Sequence, residues 1–149
     1  MRTALVAGST GLVGLQLLKI LLDSDRYNTV KAMTRSDLTA AHPKLVQVKV
    51  HFSKLEEYAS ALQADDVFCC LGTTMAKVRS KEKFREVDYE FPLKLASLTS
   101  GNGAKQFLIV AALGANKKSS IFYNQVKGEV EEAVSKQNFQ AVHIFRPSL

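Results

Sequence analysis

The sequence predicts an α/β domain in three layers, with a mostly parallel, doubly wound sheet between two layers of helices. Three observations lead there. Short apolar runs alternate with amphipathic stretches along the whole chain. The runs are apolar at consecutive positions, as strands buried on both faces require. The first run also passes straight through Gly8-Ser9-Thr10-Gly11-Leu12-Val13-Gly14 into a helical stretch. Alternation of this kind implies right-handed crossovers between parallel strands.

Thr3–Ala7 reads as the first strand, and the glycine turn follows it. Leaving a strand in a tight turn calls for glycine. A phosphate brought close to the backbone leaves no room for a Cβ. The free N–H groups and the dipole of a helix N-terminus then favour an anion. Leu12–Leu22 is the first helix, with Val13, Leu17, Ile20 and Leu21 on one stripe, and Asp23-Ser24-Asp25 ends it. Thr29–Thr34 is the second strand and delivers Arg35 and Ser36 at its carboxyl end. A loop over 40–44 leads to the third strand, Leu45–Val50. Ser53-Lys54-Leu55-Glu56 has the form of a capping box and opens a helix to about Leu62.

Asp65-Asp66 turns the chain into the fourth strand, Val67–Leu71, followed by Gly72-Thr73-Thr74. Ser80–Val87 and Asp88–Ser100 read as helical, with Pro92 marking a first turn or a kink. Gly101 and Gly103 end that helix. Gln106–Ala112 is the fifth strand and 114–120 a loop. Ile121–Lys136 is a helix with Val126, Val130 and Val134 spaced by fours, and Ala141–Phe145 is the sixth strand. Phe107, Phe139 and Phe145 are core candidates. The polar and glycine clusters after strands one, two, four and five all land on the carboxyl edge of the sheet. Open sheets of this kind bind ligands there, near the switch point.

At 149 residues the chain forms one domain, 1–149, and its 46% hydrophobic and 23% charged residues suit a soluble globular protein. The net charge of +6 raises nucleic acid or an anionic membrane as partners. The densest basic run, Lys77 to Arg85, is interleaved with Glu82 and Glu86 and reads as a solvated helical face. No basic helix or aromatic platform marks a nucleic-acid binder, and no apolar stretch has the length of a membrane span. A phosphate-bearing ligand accounts for part of the basic bias. Cys69 and Cys70 are neighbours, so on a strand they face opposite ways. They are poor disulfide partners and too few for a metal site, which makes a reducing cytoplasm the natural location.

Two further features bear on chemistry. Arg35 stands about 20 residues past the glycine loop, where an NAD-selective fold carries an acidic residue for the ribose hydroxyls. An arginine there suits a 2′-phosphate, which favours NADP(H) over NAD(H); the plainer reading is a surface arginine. Ser9, Thr10 and Ser36 add hydroxyls beside the phosphates. Tyr123 and Lys127 lie four apart on the last helix, so phenol and ammonium share one face. A neighbouring cation favours the phenolate and makes a tyrosine usable as a general acid or base.

Taken together, these segments resemble the short-chain dehydrogenase/reductase superfamily, a Rossmann fold. More narrowly they resemble the atypical branch of Tat-interacting-protein-like proteins and their bacterial relatives. The matching stretches are 8–14, Phe68-Cys69-Cys70-Leu71-Gly72-Thr73-Thr74, Phe84-Arg85-Glu86-Val87-Asp88, 122–131 and Phe145-Arg146-Pro147-Ser148. The resemblance implies that residues 8–14 wrap the dinucleotide pyrophosphate and that Leu71, Gly72 and Thr73 line the adenine side. It implies that Tyr123 exchanges a proton with the substrate oxygen while hydride passes to or from nicotinamide C4. Lys127 also bonds the nicotinamide ribose.

Three departures stand against that pattern. The family has a serine at the end of strand five to polarise the substrate carbonyl, where this chain has Ala111-Ala112. Losing such a donor costs about 10²–10³ in rate. Ser119, Ser120 and Thr73 are the candidate substitutes. His51 stands where the family often has an aspartate beside the adenine. Relatives also continue past the position of Leu149 with residues that complete the sheet and cover the substrate, so the chain reads as a truncated form. The expected function is an NADP(H)-dependent oxidoreductase acting on a small carbonyl or alcohol. The alternative is an NADP(H)-binding regulatory or interaction module with little turnover. The resemblance allows a homodimer, but the sequence marks no exposed apolar face for one.

Overall fold

The computed structural model describes residues 2–73 and 75–148. Thr74, part of the expected loop after the fourth strand, and Leu149 lie outside them. In chain order the elements begin with β1 (Arg2–Ala7), α1 (Leu12–Asp23), β2 (Tyr27–Thr34), β3 (Leu45–Lys49) and a 3-10 helix (Phe52–Leu62). Next come β4 (Asp66–Cys69), α2 (Met75–Val78), α3 (Lys81–Arg85), a π-helical turn (Glu86–Glu90) and α4 (Phe91–Gly101). β5 (Gln106–Val110), α5 (Phe122–Ser135) and β6 (Ala141–Phe145) follow. The strands form one sheet in the order β3-β2-β1-β4-β5-β6, and every neighbouring pair is parallel. The chain winds outward from β1 to β3, then restarts at β4 and winds the other way. The switch point therefore lies between β1 and β4.

The uniform apolarity of β1 follows from its position. Leu5 and Ala7 enter the core beneath α4 and α5, while Ala4 and Val6 enter the core beneath α1. Side chains alternate between faces along a strand, so a central strand covered on both sides has no polar position. The larger core gathers Leu55, Leu62, Val67, Leu95, Phe107 and Val130, all fully or almost fully buried. Val126, Val130 and Val134 are buried along α5 as their spacing predicts.

Several local expectations give way to tertiary packing. Residues 53–56 do not form a capping box. His51 occupies the cap position without a side-chain bond, the segment is 3-10, and Lys54 breaks it with φ −128° and ψ 37°. Glu56 instead reaches across to Lys94 at 2.6 Å, and Phe52 packs on Phe91 with ring centroids 5.4 Å apart. Contacts to α4 outweigh the local cap. Pro92 causes no break, because the helical path is continuous from α3 through α4. The π turn precedes it, with the Phe91 N–H bonding to Glu86 O. That wider turn lets the helix pass a residue that cannot donate and that crowds the carbonyl four residues back.

In α1 the buried positions are Gly14, Leu18, Leu21 and Leu22, whereas Val13 and Ile20 are mostly exposed. The helix packs over β1 and β2, so its buried stripe is turned toward them and away from the predicted one. One helix does not cover the other half of that face. An apolar groove of about 520 Å³ runs beside α1, lined by Val13, Leu17, Phe68, Leu108, Val110 and Phe145 among others. Phe145 is therefore 53% exposed and not a core residue. The groove is an exposed apolar face that the sequence did not mark.

The amino edge of the sheet is held by Asp66, which is 2% exposed. Its carboxylate accepts from Arg2 Nε at 3.0 Å and Nη2 at 2.6 Å, from Tyr27 Oη at 2.7 Å and from Gln106 Nε2 at 3.1 Å. Burial by itself would raise the Asp66 pKa. The bonds from Arg2 and Tyr27 outweigh it and hold the group below its ordinary value. A carboxylate depressed in the folded state contributes stability above its unfolded pKa and loses it as pH falls through the folded one. Asp66→Ala should lower the unfolding free energy by about 1–3 kcal/mol at neutral pH, because it strands buried donors. In urea titrations the variant should also lose part of the wild-type decline in stability below about pH 4.

Candidate functional site

The carboxyl edge at the switch point is built from backbone packed without side chains. Gly8 has φ +80°, and a Cβ there would collide with the carbonyl of Cys70. A Cβ on Gly14 would run into the carbonyl of Gly8. Two of the three glycines therefore let the end of β1, the start of α1 and the end of β4 meet. Gly11 is different. It has extended backbone at φ −78° and ψ 176°, and a Cβ there would find only Gly8 O, at an ordinary 3.6 Å. Gly11 also serves as the N-cap of α1 and offers no side-chain cap. The N–H groups of the first turn have no intrahelical partner and point outward beside the glycine loop. Leu12 is 94% exposed, whereas Gly14 in the same turn is buried.

Ser9 is used differently from the hydroxyl role expected of it. It is buried, and its Oγ donates to Met33 O at 3.0 Å, which ties the glycine loop to β2. Thr10 is exposed on the loop, and Arg35 and Ser36 are exposed immediately beyond β2. Asp37, the nearest acidic residue in sequence, pairs with Lys49 at 3.2 Å. Thr34 keeps a buried Oγ1 without a hydrogen-bond partner at the same strand end. His51 is exposed.

Leu71, Gly72 and Thr73 leave β4 beside the glycine loop. The Thr73 N–H donates to Asp88 Oδ2 at 3.1 Å. Asp88 sits in the π-helical turn, and its Oδ1 meets Lys127 Nζ at 2.5 Å. This is an ion pair out of water, with side-chain exposures of 8% for Lys127 and 0% for Asp88. Burial raises the Asp88 pKa above its ordinary value. The Lys127 charge and the Thr73 N–H oppose that shift without cancelling it. One helical turn before Lys127, Tyr123 is half-buried, with its ring 5.4 Å from that of the fully buried Phe84. The Lys127 ammonium lies 5.6 Å from the centre of the Tyr123 ring. The tyrosine–lysine pair is thus brought together on α5, and α5 is brought to the loop that follows β4.

Three more ion pairs hold α5 in place, one of them from Lys117 in the 114–120 loop to Glu132 at 2.6 Å. Arg85 bonds Glu129 at 3.1 Å, and Arg146 forks onto Glu131 at 2.7 and 3.0 Å. Part of the basic run from Lys77 to Arg85 is therefore spent on packing and not on solvent alone. Ala111 is buried and its N–H donates to Phe145 O at 2.7 Å, so strand five ends without a hydroxyl. Ser119 Oγ accepts from the Ile121 N–H at the start of α5, and Ser120 is exposed. Cys69 and Cys70 are free thiols, and burial pushes their pKa values up to about 12 and about 11. They stay protonated and are not nucleophiles near neutral pH.

Sequence reasoning assigned no role to Asp88 or Gly128. Asp88 appeared only inside a matched stretch, and its partner lies on another helix. Gly128 is a helix-interior glycine, which is itself a signal of close approach. A Cβ there would strike the backbone at Asn116 and Lys117, so the 114–120 loop lies directly on α5.

Comparison with known proteins agrees with this geometry. Residues 8–148 match the family model described as NAD(P)H-binding. The chain is 40% identical over 152 residues to Protein HTATIP2 of Rattus norvegicus, covering 99% of this chain and 62% of the relative. It is 33% identical over 152 residues to Protein FMP52-1, mitochondrial, of Scheffersomyces stipitis, covering 99% of this chain and 66% of that one. The chain thus spans under two thirds of the length of these curated relatives. The mitochondrial designation of the second means that the cytoplasmic location expected from the cysteines does not carry across the relatives. Among solved structures, the oxidoreductase ylbE from Lactococcus lactis superposes with a TM-score of 0.79 at 23% identity, covering 97% of this chain and 68% of that one. The Bordetella bronchiseptica enzyme WbmH in complex with NAD+ superposes with a TM-score of 0.81 at 14% identity, covering 98% and 55%. At such identities these two likenesses show the fold alone. With its glycine turn, parallel sheet and tyrosine–lysine helix, the chain belongs to the NAD(P)H-binding family of atypical short-chain dehydrogenases/reductases, in the Tat-interacting-protein-like branch.

Proposed function

We propose that the chain binds NADP(H) in preference to NAD(H) and serves hydride transfer between the nicotinamide and a small carbonyl or alcohol. Gly11 carries the nucleotide part of this reading. Gly8 and Gly14 are glycines because the protein's own backbone fills the space a Cβ would need. Gly11 faces open space, its conformation suits any residue, and it borders uncapped N–H groups. A pyrophosphate lying against the loop accounts for a glycine at that position.

Arg35 and Ser36 would take the 2′-phosphate, Gly8–Gly14 the pyrophosphate, and Leu71, Gly72 and Thr73 the adenine side. Arg35 supports the preference because it stands exposed at the end of β2, and the nearest acidic residue in sequence is already held by Lys49. When bound, the nicotinamide supplies or accepts a hydride at C4. Tyr123 would give its phenolic proton to a substrate carbonyl oxygen in reduction and would take the hydroxyl proton in oxidation. Lys127 would hold the nicotinamide ribose and orient Tyr123.

A second reading is a nucleotide-binding module with little turnover. Ala111 and Ala112 favour it, because no hydroxyl stands at the end of β5 to polarise a carbonyl. The paired state of Lys127 favours it too, since Asp88 offsets the charge that would assist Tyr123.

Thermal unfolding with added nucleotide tests the first claim. NADPH at 100 times its dissociation constant should stabilise the fold by about 2.7 kcal/mol. NADH at the same concentration should do less, and no response to either nucleotide would refute the cofactor reading. Arg35→Glu should weaken NADPH by about 10- to 100-fold with little change for NADH, the loss expected for a charge-assisted bond to phosphate.

The glycines give a contrast. Gly11→Ala should keep wild-type stability and lose most nucleotide affinity. Gly14→Ala should lose stability and affinity together, because the added methyl meets backbone. A Gly11→Ala protein that bound NADPH normally would remove the main support for the pyrophosphate site.

If NADPH oxidation is found with an aldehyde, ketone or quinone, Tyr123→Phe should slow it by about 10²–10⁴ without abolishing nucleotide binding. An unchanged rate would refute the general-acid role. Nucleotide binding without turnover across such a screen would favour the module.

A further inference from the structure

Lys81 is a cation beside the site that the roles above leave unused. It opens α3, and its ammonium lies 5.2 Å from the centre of the Phe122 ring. Phe122 precedes Tyr123 in α5, and both rings pack on Phe84, with centroids 5.7 and 5.4 Å away. Two adjacent rings of α5 thus each carry a lysine, Lys81 on Phe122 and Lys127 on Tyr123.

The two lysines differ in what becomes of their charge. Lys127 is buried, and Asp88 meets its charge. Lys81 is exposed, and among the described residues no carboxylate pairs with it. Arg85 gives a closer comparison. It lies one turn further along α3, on the same face as Lys81, and it reaches Glu129 of α5 at 3.1 Å. Lys81 meets the first turn of α5 instead, which holds no acidic residue. Glu129, Glu131 and Glu132 of α5 are already taken by other cations. Of the two lysines beside these rings, Lys81 is therefore the one whose charge is available. The negative face of an aromatic ring attracts an ammonium without using up its hydrogen-bond donors, of which a lysine has three.

We propose that Lys81 is a specificity-determining residue, which pairs with a carboxylate carried by the carbonyl compound whose oxygen meets Tyr123. The proposal rests on the hydride-transfer reading above and deepens it by naming the substrate class, an oxo acid. A single ammonium matches a single negative charge, which suits a carboxylate better than a phosphate dianion. Phe122 holds that ammonium next to Tyr123, so anion and carbonyl are recognised at neighbouring positions of one helix.

Two aldehydes of one shape test this: 4-carboxybenzaldehyde, an anion at neutral pH, and 4-formylbenzamide, its uncharged twin. Dissociation constants are measured by calorimetry on the full chain saturated with NADP+, which has no hydride to give. At low salt the wild type should bind the anion about three- to fivefold more tightly, the size of a partly exposed ion pair, and added salt should shrink the difference. Lys81→Met keeps the stem against Phe122 and removes the charge. It should abolish the preference and leave the affinities for 4-formylbenzamide and NADP+ unchanged. Lys81→Arg should retain the preference, and Lys81→Glu should reverse it. Lys19→Met removes the same charge from the exposed side of α1 and should alter neither aldehyde.

Equal binding of the two aldehydes by the wild type, or a preference that survives Lys81→Met, would overturn the role of Lys81. An equal loss in Lys19→Met would overturn it too, by assigning the preference to the net charge of the chain. Binding of neither aldehyde to the NADP+ complex would overturn the oxo-acid class. Titration of NADP+ alone keeps the two readings apart: a wild-type protein that bound no NADP+ would overturn the nucleotide reading first, and the substrate class with it.

Discussion

The site depends on three stretches of backbone meeting at the centre of the sheet with no side chains between them. Gly8 lies against the carbonyl of Cys70, and the α-carbon of Gly14 lies against the carbonyl of Gly8. A methyl group at either position would separate β1, α1 and β4 at the point where the sheet reverses direction. Close approach is what brings the start of α1 to the carboxyl edge, where its first N–H groups have no intrahelical partner. Ser9 fixes the arrangement sideways by donating to β2. The anion-favouring character of this edge therefore comes from main-chain packing, and side chains refine it.

Around that centre the second half of the chain is organised by paired charges. α5 carries Tyr123 and Lys127, and four charged partners outside it hold it: Asp88 in the π turn, Arg85 on α3, Lys117 in the 114–120 loop and Arg146 after β6. The exposed members of such pairs add little stability, while the enclosed one is sensitive to loss of either partner. The π turn solves two problems at once. It carries the helix past Pro92, and it turns Asp88 inward to where the 71–73 loop and α5 converge. The chemical face of α5 is thereby set by residues distant in sequence.

The two faces of the sheet are unequally covered, and this separates the nucleotide edge from the rest of the molecule. The face beneath α4 and α5 holds the larger core, whereas among the described residues α1 is the helix packed on the other. Phe68, Leu108, Val110 and Phe145 line a groove beside α1 as a result. The sequence presented these as ordinary strand residues, because an apolar position on a parallel strand reads the same whether a helix lies over it or not.

Local chemistry in the sequence determined a good deal. Apolar runs alternating with helical stretches marked six parallel strands, and β1 is apolar from Ala4 to Ala7 because a strand covered on both faces cannot alternate. The glycine spacing marked the turn, because the main chain tolerates no Cβ there. The four-residue spacing of Tyr123 and Lys127 put them on one face, because a helix brings such positions together. Only the tertiary structure decided the rest. It showed that Gly8 and Gly14 serve internal packing while Gly11 stands open, a distinction the motif does not contain. It replaced the expected cap at Ser53 with contacts to α4, since a distant ion pair and stacked rings outweigh one local bond. It exposed Phe145 and turned the buried stripe of α1 toward β1 and β2. Above all it brought Asp88 to Lys127 and Thr73. That meeting follows from the crossover path between β4, α4, β5 and α5, which no periodicity in the sequence records.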